Sequence, residues 1–183
     1  YFRNLRSSLR NSTRQVLFPE LPATGYIEDR ARVLANFLAH ISADRIDLIA
    51  HSMGGLDCRY LIHHLDPMHR VRSLTTVATP HHGSPLAKWT IEGSDMCFRL
   101  MHSISTPAVN DLTPESCARF NIEISNRKDV RSCSYASTRC PTDMSFILRS
   151  WGNKIAANSG DNDGMVPVAS AQWGEFRDVL QAD

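Results

Sequence analysis

Ser52 lies in the stretch "AHSMGG", between an apolar run and two glycines. A serine hydroxyl becomes a nucleophile only where a base removes its proton and hydrogen-bond donors stabilise the oxyanion formed on attack. The spacing small-x-Ser-x-Gly, met by Ala50, Ser52 and Gly54, is typical of a tight turn that holds a nucleophilic serine above a sheet. The same pattern also arises by chance as a serine at a glycine-rich helix start. The flanking elements decide between these two interpretations.

Upstream of this stretch, apolar residues recur at helical spacing from Ile27 to Ile41. The run "RIDLIA" that follows is short and aliphatic, which predicts a strand, and "GGLDCRYLIHHL" returns to helical spacing. The order is therefore helix, strand, sharp turn, helix, with Ser52 in the turn, and this is the context that a nucleophilic serine requires. We expect the backbone N–H of Met53 to point toward the developing negative charge.

The rest of the chain alternates strand and helix patterns. "QVLFPELP", "RSLTTVATP" and "VRSCSYAS" each predict a strand, whereas "MSFILRSWGNKIAA" predicts a helix. This alternation predicts an α/β fold in which helices cover both faces of a mostly parallel sheet. From about residue 85 to 126 the pattern changes to helical pieces, including "SDMCFRLMHSI" and "TPESCARFNIEI". We interpret residues 85–126 as an insertion above the sheet.

A carboxylate is expected late in the chain, because the triad of this kind of sheet runs Ser, then Asp or Glu, then His. Asp163, in "SGDNDGMVPV", lies in a turn before an apolar run, from which a loop at a strand end can present a carboxylate. A calcium-loop interpretation fails, because Ser159 and Ser170 stand where the EF-hand pattern needs acidic ligands. An ordinary turn built on Asn-Asp-Gly is the remaining alternative.

Composition narrows the classes of protein. The 183 residues fit one domain, and a formal net charge of +1 disfavours nucleic acid as a partner. The apolar runs are far shorter than the roughly 20 residues of a membrane-spanning helix, so we predict no transmembrane segment. The five cysteines lack CxxC spacing; Cys133 and Cys140 can pair around a short loop, or the thiols are free and buried. His81 and His82 point apart on an extended segment without a third ligand, so we predict neither metal nor cofactor.

Four stretches, "AHSMGG", "ATPHHGSPLA", "AVNDLTPESCARFN" and "NDGMVPVASAQWGEF", occur in an order and spacing that resemble the α/β-hydrolase lipases, specifically the triacylglycerol lipases of bacteria and fungi. The resemblance covers nearly the whole chain. It implies the α/β-hydrolase fold over residues 1–183, with residues 85–126 in the place of the lid. It also implies that Ser52 is the nucleophile, that Met53 supplies an oxyanion-hole N–H and that Asp163 is the triad acid.

The same resemblance assigns the neighbours of Ser52 to the nucleophile elbow, namely Ala50, His51, Gly54 and Gly55. His51 is expected to pack against neighbouring strands, and His81 and His82 to shape a loop. The resembling lipases also have a His-Gly stretch after their first strand, which supplies a second oxyanion donor, and a triad histidine after the acid. Neither is found here at the corresponding positions, since residues 164–183 contain no histidine. We therefore expect the domain to be incomplete at both ends and the 183-residue chain alone to be inactive.

The resemblance implies a serine carboxylic-ester hydrolase that cleaves acylglycerol esters through an acyl-enzyme on Ser52. Its substrate would be an acylglycerol or another lipid ester, with transient contact between the lid and a lipid surface. One alternative is a noncatalytic remnant or a module that binds a lipid or a protein partner. Another keeps the chemistry and changes the substrate, as in an acyltransferase, a thioesterase or a glycolipid deacylase.

Overall fold

The computed structural model describes residues 15–93 and 107–181. Its centre is a four-stranded parallel sheet with the order β1-β2-β3-β4. The strands are β1 (Ile46–His51), β2 (Val71–Val77), β3 (Arg131–Thr138) and β4 (Glu175–Gln181). Two parallel neighbours need a crossover connection, so the chain returns each time to the edge of the sheet at which the previous strand began. The carboxyl ends of all four strands therefore lie together at the opposite edge. The turns and loops that follow the strands therefore meet there.

Helices fill the connections between the strands. Helix α1 (Ile27–Ala39) precedes β1, and α2 (Gly54–Tyr60), continued by a π-helical turn (Leu61–Leu65), connects β1 with β2. Between β2 and β3 lie α3 (Pro85–Glu92), α4 (Pro107–Asp111) and α5 (Pro114–Glu123). Between β3 and β4 lie a 3-10 turn (Pro141–Asp143), α6 (Phe146–Ser159) and α7 (Val168–Ala171). None of the helices in the described ranges is long and apolar enough to cross a membrane.

Two buried apolar clusters fix the helices that surround the turn at Ser52. The larger one packs α1 and α2 against β1 and β2, and consists of Ala31, Leu34, Ala50, Cys58, Leu61, Ile62, Val71, Leu74 and Val130. The smaller one joins α1 and the start of α2 to α4 and α5, through Ile27, Met53, Leu56, Ala108 and Cys117. Burial of a large aliphatic side chain contributes roughly 1.5–3 kcal/mol, so both clusters hold the start of α2 in place.

The predicted α/β architecture with a parallel sheet is confirmed, and so are the helix from Ile27, the strands of "RIDLIA", "RSLTTVATP" and "VRSCSYAS", and the helices of "TPESCARFNIEI" and "MSFILRSWGNKIAA". The strand predicted over residues 15–22 is wrong, since these residues form neither strand nor helix. Pro19 and Pro22 carry no N–H with which to build a ladder. The helix predicted in "SDMCFRLMHSI" lies outside the described residues.

The cysteines of the described residues are free thiols, namely Cys58, Cys117, Cys133 and Cys140, while Cys97 lies outside those residues. A disulfide between Cys133 and Cys140 does not form. Cys133 lies near the start of β3, and at about 3.3 Å per residue the strand carries the chain roughly 16 Å from Cys133 to Thr138, two residues before Cys140. A disulfide needs Cα atoms within about 7 Å.

Candidate active site

Ser52 occupies the turn between β1 and α2 with a backbone φ of +53°. This left-handed conformation costs a residue with a side chain about 1–2 kcal/mol. Hydrogen bonds on both sides of the residue maintain it. The Ser52 N–H donates to the Val77 carbonyl at 3.0 Å, and the Ser52 carbonyl accepts from the Gly55 N–H at 3.1 Å. The same carbonyl also accepts from Thr79 Oγ1 at 2.7 Å. A strained residue that is held so firmly is typical of a functional turn.

The two glycines after Met53 differ in how closely their surroundings approach. A Cβ atom at Gly54 would lie 3.8 Å from the Ala50 Cβ, which is an ordinary contact. A Cβ atom at Gly55 would lie 2.3 Å from Thr79 Oγ1 and 2.9 Å from Thr76 Cγ2, which is too close for any real side chain. The severe requirement for glycine is therefore at Gly55, where the first turn of α2 rests on the residues at the end of β2.

Met53 stands at the N-cap position of α2, with its side chain buried. The backbone N–H groups of Gly55 and Leu56 donate to the carbonyls of Ser52 and Met53. The N–H of Met53 itself has no acceptor among the described residues. The first N–H groups of a helix lack partners within it, and here one of them belongs to the residue next to the Ser52 hydroxyl. It can therefore donate to an oxyanion formed at Ser52.

Asp163 lies in the loop between α6 and α7, on the connection between β3 and β4. Its Oδ1 accepts hydrogen bonds from the backbone N–H groups of Met165 at 3.0 Å and Val166 at 2.8 Å. Its Oδ2 accepts none from the described residues. Burial raises the pKa of Asp163, and the two backbone hydrogen bonds and the nearby His51 lower it. The carboxylate thus shapes its own turn, as the ordinary-turn alternative expects, and keeps one oxygen available.

His51 is the last residue of β1 and is half-buried. Burial lowers the pKa of His51, whereas the negative charge of Asp163 raises it. The acid loop between β3 and β4 therefore acts electrostatically on the residue just before Ser52. Sequence reasoning placed His51 in the elbow but missed this interaction, since 112 positions of chain separate the two residues and no local pattern connects them.

His81, in "TPHHGS", is fully buried. Its Nε2 lies 3.0 Å from Thr76 Oγ1, and its Nδ1 lies 3.3 Å from a guanidinium nitrogen of Arg59. Because arginine can only donate, Nδ1 is the acceptor and Nε2 carries the proton. The ring stacks on Trp173 with centroids 4.8 Å apart. Burial and the charge of Arg59 keep the pKa of His81 well below its usual range, so this histidine is neutral and structural, as expected.

His82 is exposed, and its backbone N–H is bonded to Ser170. Its neighbour His81 is enclosed by protein, so the two imidazoles do not converge on one ion. Within residues 15–93 and 107–181, no group of three or more His, Cys, Asp or Glu side chains could hold a metal.

The fold agrees with solved structures and with a family model. Residues 6–94 match the model described as alpha/beta hydrolase fold. A metagenomic carboxyl esterase superposes with a TM-score of 0.78 at 26% identity, over 90% of this chain and 52% of that one. The mature form of a Bacillus licheniformis lipase superposes with a TM-score of 0.76 at 23% identity, over 90% of this chain and 69% of that one. The chain has the α/β-hydrolase fold. The predicted fold is thereby confirmed.

Two curated proteins are similar to this chain in sequence. Triacylglycerol lipase 2 of Saccharomyces cerevisiae is 32% identical in an alignment 193 residues long, and this alignment covers 99% of this chain and 59% of the yeast protein. Triacylglycerol lipase of Pseudomonas fragi is 31% identical over 91 residues, which cover 48% of this chain and 30% of the bacterial protein. The predicted resemblance to bacterial and fungal lipases is confirmed. The chain spans less than two thirds of the length of either relative.

Proposed function

We propose that this α/β-hydrolase chain carries the nucleophile and the acid of a serine carboxylic-ester hydrolase that cleaves acylglycerol esters. The observation that carries the proposal is the backbone of Ser52, a residue with a side chain held at a φ of +53° between a strand and a helix. The similarity to two proteins named triacylglycerol lipase supports acylglycerol esters as the substrate class.

In the proposed reaction, Ser52 Oγ attacks the ester carbonyl carbon while a histidine base takes the hydroxyl proton. The carbonyl oxygen becomes negatively charged and accepts a hydrogen bond from the Met53 N–H. The tetrahedral intermediate collapses, the histidine gives its proton to the departing alcohol, and the acyl group stays on Ser52. Water then attacks this ester with the same base, and the fatty acid is released.

We place the histidine base in sequence that follows residue 183 in the complete protein, and the second oxyanion donor in sequence that precedes residue 1. Strand β4 runs parallel to β1, so chain that continues beyond Gln181 leaves the sheet at the edge where Ser52 and the Asp163 loop lie. Asp163 Oδ2 is the oxygen that would accept from the histidine. The two backbone N–H groups on Oδ1 keep the carboxylate oriented and favour its charged form.

We further propose that residues 85–126 form the lid over this site and contact the lipid surface. The later part of this insertion is anchored to the body of the domain. Asp111 Oδ2 accepts the Ile27 N–H of α1 at 2.8 Å, which connects α4 to the body of the domain. Within the insertion, Lys88 of α3 pairs with Glu115 of α5 at 2.5 Å.

The test is reaction of the complete encoded protein with a fluorophosphonate probe, followed by peptide mapping and an assay of acylglycerol hydrolysis. We expect the label on Ser52, and loss of both labelling and hydrolysis in Ser52→Ala. Ser73→Ala is the matched control, because Ser73 is a surface hydroxyl on β2 that donates to Asp47. In Asp163→Asn we expect kcat to fall by roughly 10⁴-fold, as for other triad acids.

A folded complete protein that neither labels at Ser52 nor hydrolyses esters would show that the proposal is wrong and would favour the noncatalytic module. Labelling at Ser52 together with acyl transfer to an added alcohol, and no net hydrolysis, would instead assign the elbow to an acyltransferase.

A further inference from the structure

The segment Thr79–Ser84, "TPHHGS", touches both halves of the proposed machinery, and it is called the bridging segment below. At its first residue, the buried Thr79 donates from Oγ1 to the Ser52 carbonyl at 2.7 Å. That carbonyl belongs to the same peptide unit as the Met53 N–H. Because a trans peptide is planar, its C=O and N–H point in opposite directions, so a hydroxyl that holds the oxygen also sets the direction of the N–H.

The last residue of the bridging segment repeats this arrangement at the acid. The buried Ser84 donates from Oγ to the Met165 carbonyl at 2.6 Å. The other group of that peptide unit is the Val166 N–H, which donates to Asp163 Oδ1 at 2.8 Å. Ser84 thus fixes the carbonyl side of the peptide whose N–H side holds the carboxylate.

The middle of the bridging segment is immobilised by its surroundings. The buried His81 ring is held between Thr76 and Arg59, and the His81 carbonyl accepts from the Asn121 side chain at 2.8 Å. Ser170 Oγ donates to the Gly83 carbonyl at 2.5 Å. Because the bridging segment is held rigidly, its two hydroxyls can keep a constant distance between the Ser52–Met53 peptide and the Met165–Val166 peptide.

We infer that Thr79 and Ser84 are positioning residues, Thr79 orienting the Met53 oxyanion donor and Ser84 orienting the peptide that holds Asp163, so that the bridging segment sets nucleophile and acid relative to each other. This inference rests on the proposed function. It assigns to "TPHHGS" a role in catalysis that is carried by its two hydroxyls and not by its histidines.

The experiment compares Thr79→Val, which keeps the side-chain shape and removes the donor, with Thr79→Ser, which keeps the donor. Both are made in the complete encoded protein, together with Ser84→Ala. Ser134→Ala is the matched control, because Ser134 is also buried and donates from Oγ to a backbone carbonyl, that of Trp173 at 2.7 Å. It lies in β3, outside residues 85–126, and its hydroxyl forms no hydrogen bond with Ser52 or Asp163 in the described structure. The readouts are kcat and KM for a soluble ester, the rate of fluorophosphonate labelling at Ser52, and unfolding in urea.

We expect Thr79→Val and Ser84→Ala to lower kcat by roughly 10-fold to 100-fold with KM little changed. The groups that these hydroxyls orient stabilise mainly the transition state, so their misorientation affects substrate binding little. Thr79→Ser should restore most of kcat, and Ser134→Ala should lose stability without losing kcat. Wild-type kcat in folded Thr79→Val, or a loss in Ser134→Ala as large as in Thr79→Val, would overturn the inference. If Thr79→Val does not fold, Thr79→Ser decides, since a kcat far below wild type there contradicts a role of the donor. Absence of Ser52 labelling in the wild-type protein would instead refute the proposed function.

Discussion

The two neighbouring glycines of the elbow allow a sharp test of how α2 rests on β2. We predict that Gly55→Ala destabilises the folded chain and that Gly54→Ala does not. At residue 55 the new methyl group would lie 2.3 Å and 2.6 Å from atoms of Thr79 and 2.9 Å from Thr76. Both threonines are fully buried, so neither can turn into solvent to make room.

The magnitude follows from three contributions. Overpacking of a buried site costs about 1–3 kcal/mol. Displacement of Thr79 weakens its hydrogen bond to Ser52, which contributes about 0.5–1.5 kcal/mol. Replacement of a helical glycine by alanine stabilises the helix by about 0.5–1 kcal/mol, which offsets part of this loss. The net loss for Gly55→Ala is therefore roughly 0.5–4 kcal/mol. For Gly54→Ala only the helix contribution remains, because the new methyl group meets the Ala50 Cβ at 3.8 Å.

The assay is urea unfolding followed by far-ultraviolet circular dichroism, with both variants and the wild type in the same buffer. We expect the midpoint to fall for Gly55→Ala at an unchanged slope, and to stay or rise slightly for Gly54→Ala. If Gly55→Ala is as stable as Gly54→Ala, the close approach of α2 to Thr79 is wrong. The spatial basis of the Thr79 inference would then be lost as well.

Two further predictions concern strain and charge. Ser52→Gly should be more stable than Ser52→Ala by about 1 kcal/mol in the same urea experiment, because both lack the hydroxyl and only glycine adopts a φ of +53° freely; equal stability would exclude strain at this turn. Burial raises the pKa of Asp57 from 3.8 to about 6, although Arg30 opposes this with an ion pair at 2.8 Å. The folded state therefore binds more protons between these two values, so this carboxyl adds stability at acidic pH that is lost as the pH rises through about 6. Relative to Asp57→Asn, the wild type should lose up to roughly 3 kcal/mol of unfolding free energy across that range, and a parallel pH dependence of the two proteins would contradict the shift.

The elbow was predictable because its constraints are local. A strand, a tight turn and a helix restrict the residue types over a few consecutive positions, so Ser52 and its small neighbours are visible in the sequence. The Asp163 loop was visible for the same reason, since Asn-Asp-Gly favours a turn. Thr79 was not, because its contact with Ser52 depends on the register of β2 beside β1, across 27 positions of chain.

Strand β4 was missed for a related reason. Its sequence "EFRDVLQ" mixes charged and apolar residues, and the pairing with β3 shifts between Ser134 and Tyr135, so the alternation of a half-buried strand is interrupted. Conversely, "QVLFPELP" contains enough aliphatic residues to suggest a strand, but no neighbouring strand pairs with it in the described residues. Pattern alone indicates what a segment tolerates, whereas a ladder requires a partner.

The hydrogen bond from Ile27 to Asp111 bears on the order in which the domain folds. Helix α1 has the most regular apolar periodicity of the early chain, yet its N-cap residue Tyr26 contributes no side-chain hydrogen bond, and the carboxylate that satisfies its first turn lies 84 positions later. As the chain leaves the ribosome, the body of α1 can form from local contacts while its first turn frays until α4 arrives. Closing so long a loop is slow. We therefore expect the start of α1 and α4 to become rigid together in one late step, after the rest of α1 has already formed.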